Sequence, residues 1–541
     1  MKLAELPVLV VDCQATGASP KHGHLLEVAW AASVGDAPLV TTSSLVALPR
    51  GATVSRRVSR LTGIDREILA GAPTGLQVLE RLLAALGEPP VIVSHMGHYE
   101  RAFLTALDPD AEVWPRTLFL GTHAVGRRAL PDLASHSLRA LSGYFGTAIG
   151  QLRRSEAHVE ATAAIWRGLV TELAARHDVH TREDLEAWLA QAPPKRARRR
   201  SFPLTARDRR PLPDAPGVYR FLAGDGTVLY VGKATSLKKR ISGHYHGSSG
   251  TGPSARRERE LLSQVHAFEV TPTVTATEAA LLESDTIKAL DPLYNRALTV
   301  RAPELWYASP ELDRVAPRPA ADLPLGPLRD AAFTWPITAL LRGERDPARL
   351  LATAWAHTAP PEAVDAGLAL LRERHAALRA PTLPGLMRLG AALWAAERAG
   401  DDDDDDGPEP GLSWTPERFA RSVEKAVLRS AALIRRGTWL TRLVHATVRL
   451  PTGEGARLLH LVGGEIVDRE DVHADSPLPP PRDAASRLDR HRALDVATYD
   501  RLRVLTTELR RLATDGAAVS VRLGPGRPLS ARALARRLAW Y

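Results

Sequence analysis

The chain has 541 residues, 44% of them hydrophobic and 25% charged, with a formal net charge of +9. That length exceeds one core and predicts roughly two to four domains. No apolar run approaches the roughly 20 residues that a membrane span requires, and one cysteine, Cys13, excludes an internal disulfide or a thiolate-rich zinc site. The opening MKLAELPVLVVD carries Glu5 and runs straight into a strand, unlike a secretory signal. The expected compartment is the cytoplasm, with no membrane partner.

Residues 1–185 alternate strand and helix patterns. PVLVVD and PVIVSH read as short buried strands, and SEAHVEATAAIWRGLVTELAAR as a helix with Ala161, Ile165 and Leu169 along one stripe. Residues 186–209 are rich in Pro and Arg and predict an exposed basic linker. Residues 210–300 read as a compact unit. GVYRFL and TVLYVG are two strands joined by AGDG, and Asp-Gly signals a hairpin. Residues 301–400 predict a helical region, 401–411 an acidic linker opened by six aspartates, and 412–541 an α+β region of unknown role.

The charge is concentrated. Residues 195–300 hold 18 Lys+Arg against 10 Asp+Glu, which is consistent with a polyanion partner or with a solvated basic surface. Lys195, Arg196, Arg198, Arg199, Arg200, Lys238 and Lys239 are the expected nucleic-acid contacts.

The same segment carries the candidate chemistry. In TATEAALLESDTIKAL, Thr275 and Glu278 predict a capping box. Glu283 falls on the face of Ala279 and Ile287, where a carboxylate either reaches water at the edge of the stripe or must be met by a cation. In LYVGKATSLKKRISGHY the strand ends at Gly232, Lys233 follows, and Ser236 can cap a helix on which Arg240 and His244 share a face. Tyr230, Lys233, Arg240 and His244 thus gather at a strand-to-helix corner. These residue types suit phosphodiester hydrolysis, which needs donors to phosphate, a base for water and a cation for developing charge.

These motifs closely resemble the GIY-YIG nuclease domain of the UvrC excinuclease. Gly217-Val218-Tyr219 and Tyr230-Val231-Gly232 stand at the two signature triplets, and a closing pattern from Glu283 ends in Pro-x-Tyr-Asn at Asn295. The resemblance implies that Glu283 holds a single Mg²⁺ or Mn²⁺. It implies that Tyr230 is a general base or positions water with Lys233 tuning it, that Arg240 stabilises the pentavalent phosphate, and that Tyr219 lines the site. UvrC usually has Tyr where this chain has His244. His there resembles the Cho-type homologues that make only the 3′ incision, and its role as donor or base stays open.

The N-terminal pieces VVDCQATGASPKHGHLLEVAW, VSRLTGIDREILAGAP, VIVSHMGHYERAFL and HSLRALSGYFG resemble, in order, the DnaQ-like 3′–5′ exonucleases. Asp12 and Glu100 stand at two of that family's four carboxylate positions. Gln14 and His158 replace the other two, and Arg153 stands where the family has its catalytic His. Losing two negative charges and gaining one positive charge disfavours a pair of divalent ions, which implies a degenerate exonuclease site. Glu156 lies on nearly the opposite helix face from His158 and does not restore it. His158 shares a stripe with Ala161, Thr162 and Ile165, so its plain reading is a core histidine.

The expected architecture is multidomain α/β. A ribonuclease H-like exonuclease fold is followed by a small central GIY-YIG α/β domain and a C-terminal region that is helical and then α+β. The expected function is a metal-dependent DNA endonuclease making one incision, on the 3′ side, in nucleotide excision repair, with DNA as substrate and UvrA/UvrB-type damage-recognition proteins as partners. The alternatives are a 3′–5′ DNA exonuclease using the N-terminal domain, and a non-catalytic DNA-binding or scaffold protein.

Overall fold

The computed structural model describes residues 1–150, 152–194, 200–205, 207–208, 211–247, 250, 252–295, 304–353, 356, 358–397 and 413–539. The basic residues Lys195, Arg196, Arg198 and Arg199, and the acidic run 401–406, lie outside these. The chain forms two compact units, one of residues 1–272 and 292–295, the other of 273–291 and 296–541.

The first unit holds two sheets. One comprises β1 (Val8–Ala15), β2 (Leu25–Ser33), β3 (Thr42–Leu45), β4 (Val91–Ser94) and β5 (Leu118–Gly121) in the order β3-β2-β1-β4-β5. β1–β3 run antiparallel, and β4 and β5 run parallel to β1. Alternate residues of β1 face opposite cores, as the pleat requires. Val8 and Val10 pack with Ile165, Trp166 and Leu169 of the Ser155–His177 helix, and Leu9, Val11 and Cys13 with Leu79, Leu82 and Phe103. The predicted stripe of Ala161, Ile165 and Leu169 is fully buried.

The second sheet of this unit has the order β7-β6-β8, all antiparallel, from β6 (Gly217–Leu222), β7 (Val228–Ala234) and β8 (Ala267–Pro272). The Asp225-Gly226 turn joins β6 to β7, with Gly226 at φ +84°. The two sheets' layers dock directly. Gly143 meets Gln264 so closely that a Cβ would lie 2.2 Å from its side chain, and Gly224 abuts Gly146. The Ser137 hydroxyl donates to Glu260 Oε2 at 2.7 Å, and the Ala148 amide donates to Asp225 at 3.0 Å. Part of the expected exposed linker is pinned rather than free. Ser201 N donates to Asp132 O, Leu204 is buried, and Phe202 packs edge-on against Tyr245. Two apolar side chains in an otherwise basic stretch anchor it.

The second unit contains a three-stranded sheet, β10-β9-β11, from β9 (Trp306–Ala308), β10 (Val315–Ala316) and β11 (Leu325–Leu328). It also contains an antiparallel five-stranded sheet, β14-β13-β12-β15-β16, from β12 (Ala446–Pro451), β13 (Ala456–Val462), β14 (Glu465–Val472), β15 (Ser520–Arg522) and β16 (Leu529–Ser530). The reading of 301–400 as helical therefore needs correction. Three short strands precede its helices, each too brief to leave a period-2 pattern.

The expected compact unit 210–300 is divided between the two units. The Ala276–Leu290 helix clusters with the C-terminal half because its polar edge is tied there. Arg457 reaches Glu278 at 2.9 Å, Arg501 reaches Asp285 at 3.0 Å, and Lys288 pairs with Asp500 at 3.2 Å. Leu281 enters the core that includes Tyr499 and Leu502.

Candidate active site

Two glycines let the strand pair close. At Gly217 a Cβ would lie 2.5 Å from Thr271 O. At Gly232, opposite Tyr219 in the β6–β7 register, a Cβ would lie 2.5 Å from the Tyr219 hydroxyl. Only hydrogen fits there, so the Tyr219 ring lies flat across the strand and is fully buried. β7 is an edge strand, and Asn295 closes it. Its side chain accepts from Val231 N at 3.0 Å and donates to Val231 O at 2.9 Å, like one further backbone residue.

Tyr219, Tyr230 and His244 form one aromatic cluster, with ring centroids 5.7–6.1 Å apart. The Tyr219 hydroxyl is 2.7 Å from His244 Nε2, and His244 Nδ1 is 2.7 Å from Glu258 Oε1. An ionised Glu258 only accepts, so Nδ1 carries the proton, and Nε2 accepts from the Tyr219 hydroxyl. Burial lowers the His244 pKa below its usual range; Glu258 opposes that shift and Arg240 reinforces it. Burial pushes the Tyr219 phenol far up, with Tyr230 adding to this. The Arg240 guanidinium interacts with both phenols, Tyr219 foremost, and is held above its usual range.

Ser236 caps the Leu237–Gly247 helix as the sequence predicts, accepting from Lys239 N at 3.2 Å. That start presents Lys238, Lys239 and Arg240 as an exposed basic row, and Lys233 is exposed at the end of β7. Glu258, on the Pro253–Leu262 helix, is a site residue that the sequence does not reveal. It is one of two glutamates among the arginines of SARRERELL and carries no local signal.

Glu283 sits in the middle of the Ala276–Leu290 helix, in the second unit, while Tyr219, Tyr230, Lys233, Arg240 and His244 belong to the first. The Thr275–Glu278 capping box is present in both directions. Ala279, Ala280 and Ile287 are buried and Glu283 is half-buried at their border. Among the described residues no three His, Cys, Asp or Glu side chains form a group able to hold a metal. A single half-buried carboxylate does suit Mg²⁺ or Mn²⁺, which keep several waters and take phosphate oxygens. Glu283 fits that role.

The N-terminal constellation does not fit two metals. Gln14 Nε2 donates to Arg153 O at 2.9 Å, so the two replaced positions lock onto each other. His158 Nδ1 lies 3.2 Å from Asp12 Oδ1. Burial lowers its pKa, but the Asp12 contact outweighs burial and the net shift is upward. His158 is thus not a plain core histidine; it occupies one oxygen of the first carboxylate. Burial, then repulsion from Asp12, pushes Glu100 up to about 7, although Ser94 donates to it at 3.1 Å. Glu156 is turned to Ser43 and does not replace the missing carboxylate.

The UvrC-like GIY-YIG domain family matches residues 215–296. The chain is 28% identical over 357 residues to a Mycobacterium tuberculosis protein named "putative bifunctional exonuclease/endonuclease protein", covering 63% of this chain and 53% of that one. It is 51% identical over 84 residues to the UvrABC system protein C of Legionella pneumophila, and 48% over 87 residues to that of Xanthomonas oryzae pv. oryzae, each covering 16% of this chain and 13% of the relative. Among solved structures it is similar to exonuclease X in complex with 5′ overhanging duplex DNA, at 20% identity and a TM-score of 0.25, over 31% of this chain and 93% of that one. Residues 215–296 are therefore a UvrC-like GIY-YIG domain, preceded by an exonuclease-like region. The chain spans about half the length of the first of these relatives and a small part of the UvrC proteins.

Proposed function

We propose that this protein is a metal-dependent DNA endonuclease whose working site is the GIY-YIG corner, making one incision, 3′ of a lesion, in nucleotide excision repair. The observation that carries the reading is the Tyr219–His244–Glu258 chain beside Arg240, inside a domain that matches the UvrC-like family. A neutral His244, fixed by Glu258, accepts a proton through the phenol cluster, and Tyr230, half-buried at the mouth, orients the attacking water. Arg240 faces the phosphate, and Lys233 with the Lys238–Lys239 row holds the backbone. Glu283 binds the divalent ion, whose contribution when bound is to polarise the phosphate and stabilise the leaving oxygen. Cleavage in the N-terminal site is disfavoured by the Gln14–Arg153 bond and the raised Glu100. UvrA and UvrB are candidate recruiters, and the single cysteine supports a cytoplasmic setting.

The test is the purified protein with Mg²⁺ or Mn²⁺ and an end-labelled duplex bearing one bulky lesion, with and without UvrA and UvrB. One discrete band near the lesion on its 3′ side is expected. A ladder shortening from the 3′ end would assign the activity to the N-terminal domain instead.

A further inference from the structure

The Pro416–Leu443 helix of the second unit has two unlike sides over its first half. Phe419, Val423 and Val427 are buried in a core that includes Leu368 and Leu371. Arg421, Lys425 and Arg429 lie on the opposite side, and all three are exposed. Steps of four residues turn an α-helix by only about 40°, so the three form one row, about 12 Å long at about 1.5 Å per residue. Among the described residues, none of the three side chains makes an ion pair or a side-chain hydrogen bond. Glu424, the one acid between them in sequence, is turned away to His375 Nε2 at 2.7 Å and to Arg374 at 3.7 Å. Arg418, one turn earlier, is already engaged, donating to Ser413 O at 3.2 Å and lying 5.5 Å from the Trp414 ring centroid.

Like charges four residues apart destabilise a helix. This row contains two such steps in succession, Arg421 to Lys425 and Lys425 to Arg429. A small anion can relieve one step, whereas a linear polyanion laid along the row relieves both. A duplex carries one charge per about 1.7 Å of its axis, hence about seven over the length of the row, enough to give each cation a phosphate. Long cationic side chains on a solvent-facing helix contact phosphates without reading bases.

We propose that the Arg421–Lys425–Arg429 row is a contact for the backbone of duplex DNA. The inference rests on the reading of this protein as a DNA endonuclease, and it gives the C-terminal half a sequence-independent binding role.

The full-length protein is titrated with a fluorescent 30-base-pair duplex in EDTA across a series of NaCl concentrations. The titrations are repeated on the Arg421→Gln/Lys425→Gln/Arg429→Gln variant. A control, Arg527→Gln/Arg532→Gln/Arg536→Gln, removes the same charge from three other exposed positions of the unit. A further protein has all six residues from Asp401 to Asp406 changed to Asn. The slope of log affinity against log salt is expected to fall by about 0.9 for each lost phosphate contact, about 2.7 for the whole row, with the melting temperature unchanged. The control is expected to keep the larger part of its slope. An unchanged slope in the row variant, or an equal fall in the control, would overturn the assignment. So would tighter binding by the Asn protein together with a silent row variant, because the chain's own acidic run would then be the occupant. Binding is read without metal, so a protein that failed to cut would still show the slope change. One that cut with an unchanged slope would overturn the row alone.

Discussion

Tyr219 donates its hydroxyl to His244 Nε2 across 2.7 Å, joining the first signature triplet of the strand pair to a helix 25 residues further on. With Glu258 at the other nitrogen, the bond fixes the histidine's tautomer, and burial favours its neutral form by lowering its pKa. On the proposed reading, cleavage is expected to require deprotonated His244. It persists above that pKa and fades as the pH falls through it.

Glu258 pulls the His244 pKa upward, against burial. In Glu258→Gln the acid limb of the pH–rate profile therefore moves to lower pH, and the plateau falls because the imidazole loses the negative charge beside Nδ1 while a neutral amide oxygen remains as acceptor. His244→Ala is expected to lower the plateau about a hundredfold, and to cost about 1–3 kcal/mol of stability because it leaves the buried Tyr219 hydroxyl without its acceptor. An acid limb that stays in place in Glu258→Gln would break the link between the two residues.

Gly232→Ala drives a methyl group to within 2.5 Å of the Tyr219 hydroxyl. Relief requires moving a fully buried ring, so the variant loses about 1–3 kcal/mol of stability and its cleavage activity. Chemical denaturation reports the first and the lesion-duplex gel the second.

Glu283→Gln keeps the helix and its shape but removes the charge proposed to hold the ion. Cleavage disappears at all Mg²⁺ and Mn²⁺ concentrations while duplex binding in a gel-shift assay is retained. A variant that still cuts would show that the ion is held elsewhere.

Glu100 binds its proton more tightly in the folded chain, at about 7 against 4.5. A raised carboxylate contributes stability below about pH 4.5 and loses it as the pH rises to 7, a change of about 3 kcal/mol at most. Glu100→Gln removes that slope, so the variant melts higher than wild type at pH 8 and the gap closes near pH 5. Thermal scans across this window decide it.

Neutralising Lys195, Arg196, Arg198, Arg199 and Arg200 is expected to weaken DNA binding without changing sequence preference. The slope of log affinity against log salt falls by about 0.9 for each phosphate that the variant no longer neutralises. An unchanged slope would show that this segment does not touch DNA.

Much of the site was legible because its signals are local. Thr275 and Glu278 are three residues apart and form the capping box, Asp225-Gly226 makes the turn, and Ser236 caps its helix. The glycines of both triplets appear in the sequence, but the reason for them, a buried phenol and a neighbouring carbonyl, appears only in the fold. Glu258 escaped because its partnership crosses two helices, and nothing in SARRERELL distinguishes it from Glu260. The His158–Asp12 pairing spans 146 residues and was equally invisible. β11, Leu325–Leu328, reads LGPL and has no strand pattern to find.

The carboxylate of Glu260 is shared. One oxygen takes the Ser137 hydroxyl from the exonuclease-like layer, and the other takes the Tyr294 hydroxyl, which itself receives Gln264. Glu260 lies on the same helix as Glu258, so the support of the His244 imidazole begins in the exonuclease-like layer. A descendant that deleted the first 190 or so residues would strip a partner from that helix and expose the Gln264 face that Gly143 covers. The exonuclease-like layer therefore serves the helix that carries Glu258 as a packing partner, whatever chemistry it performs itself.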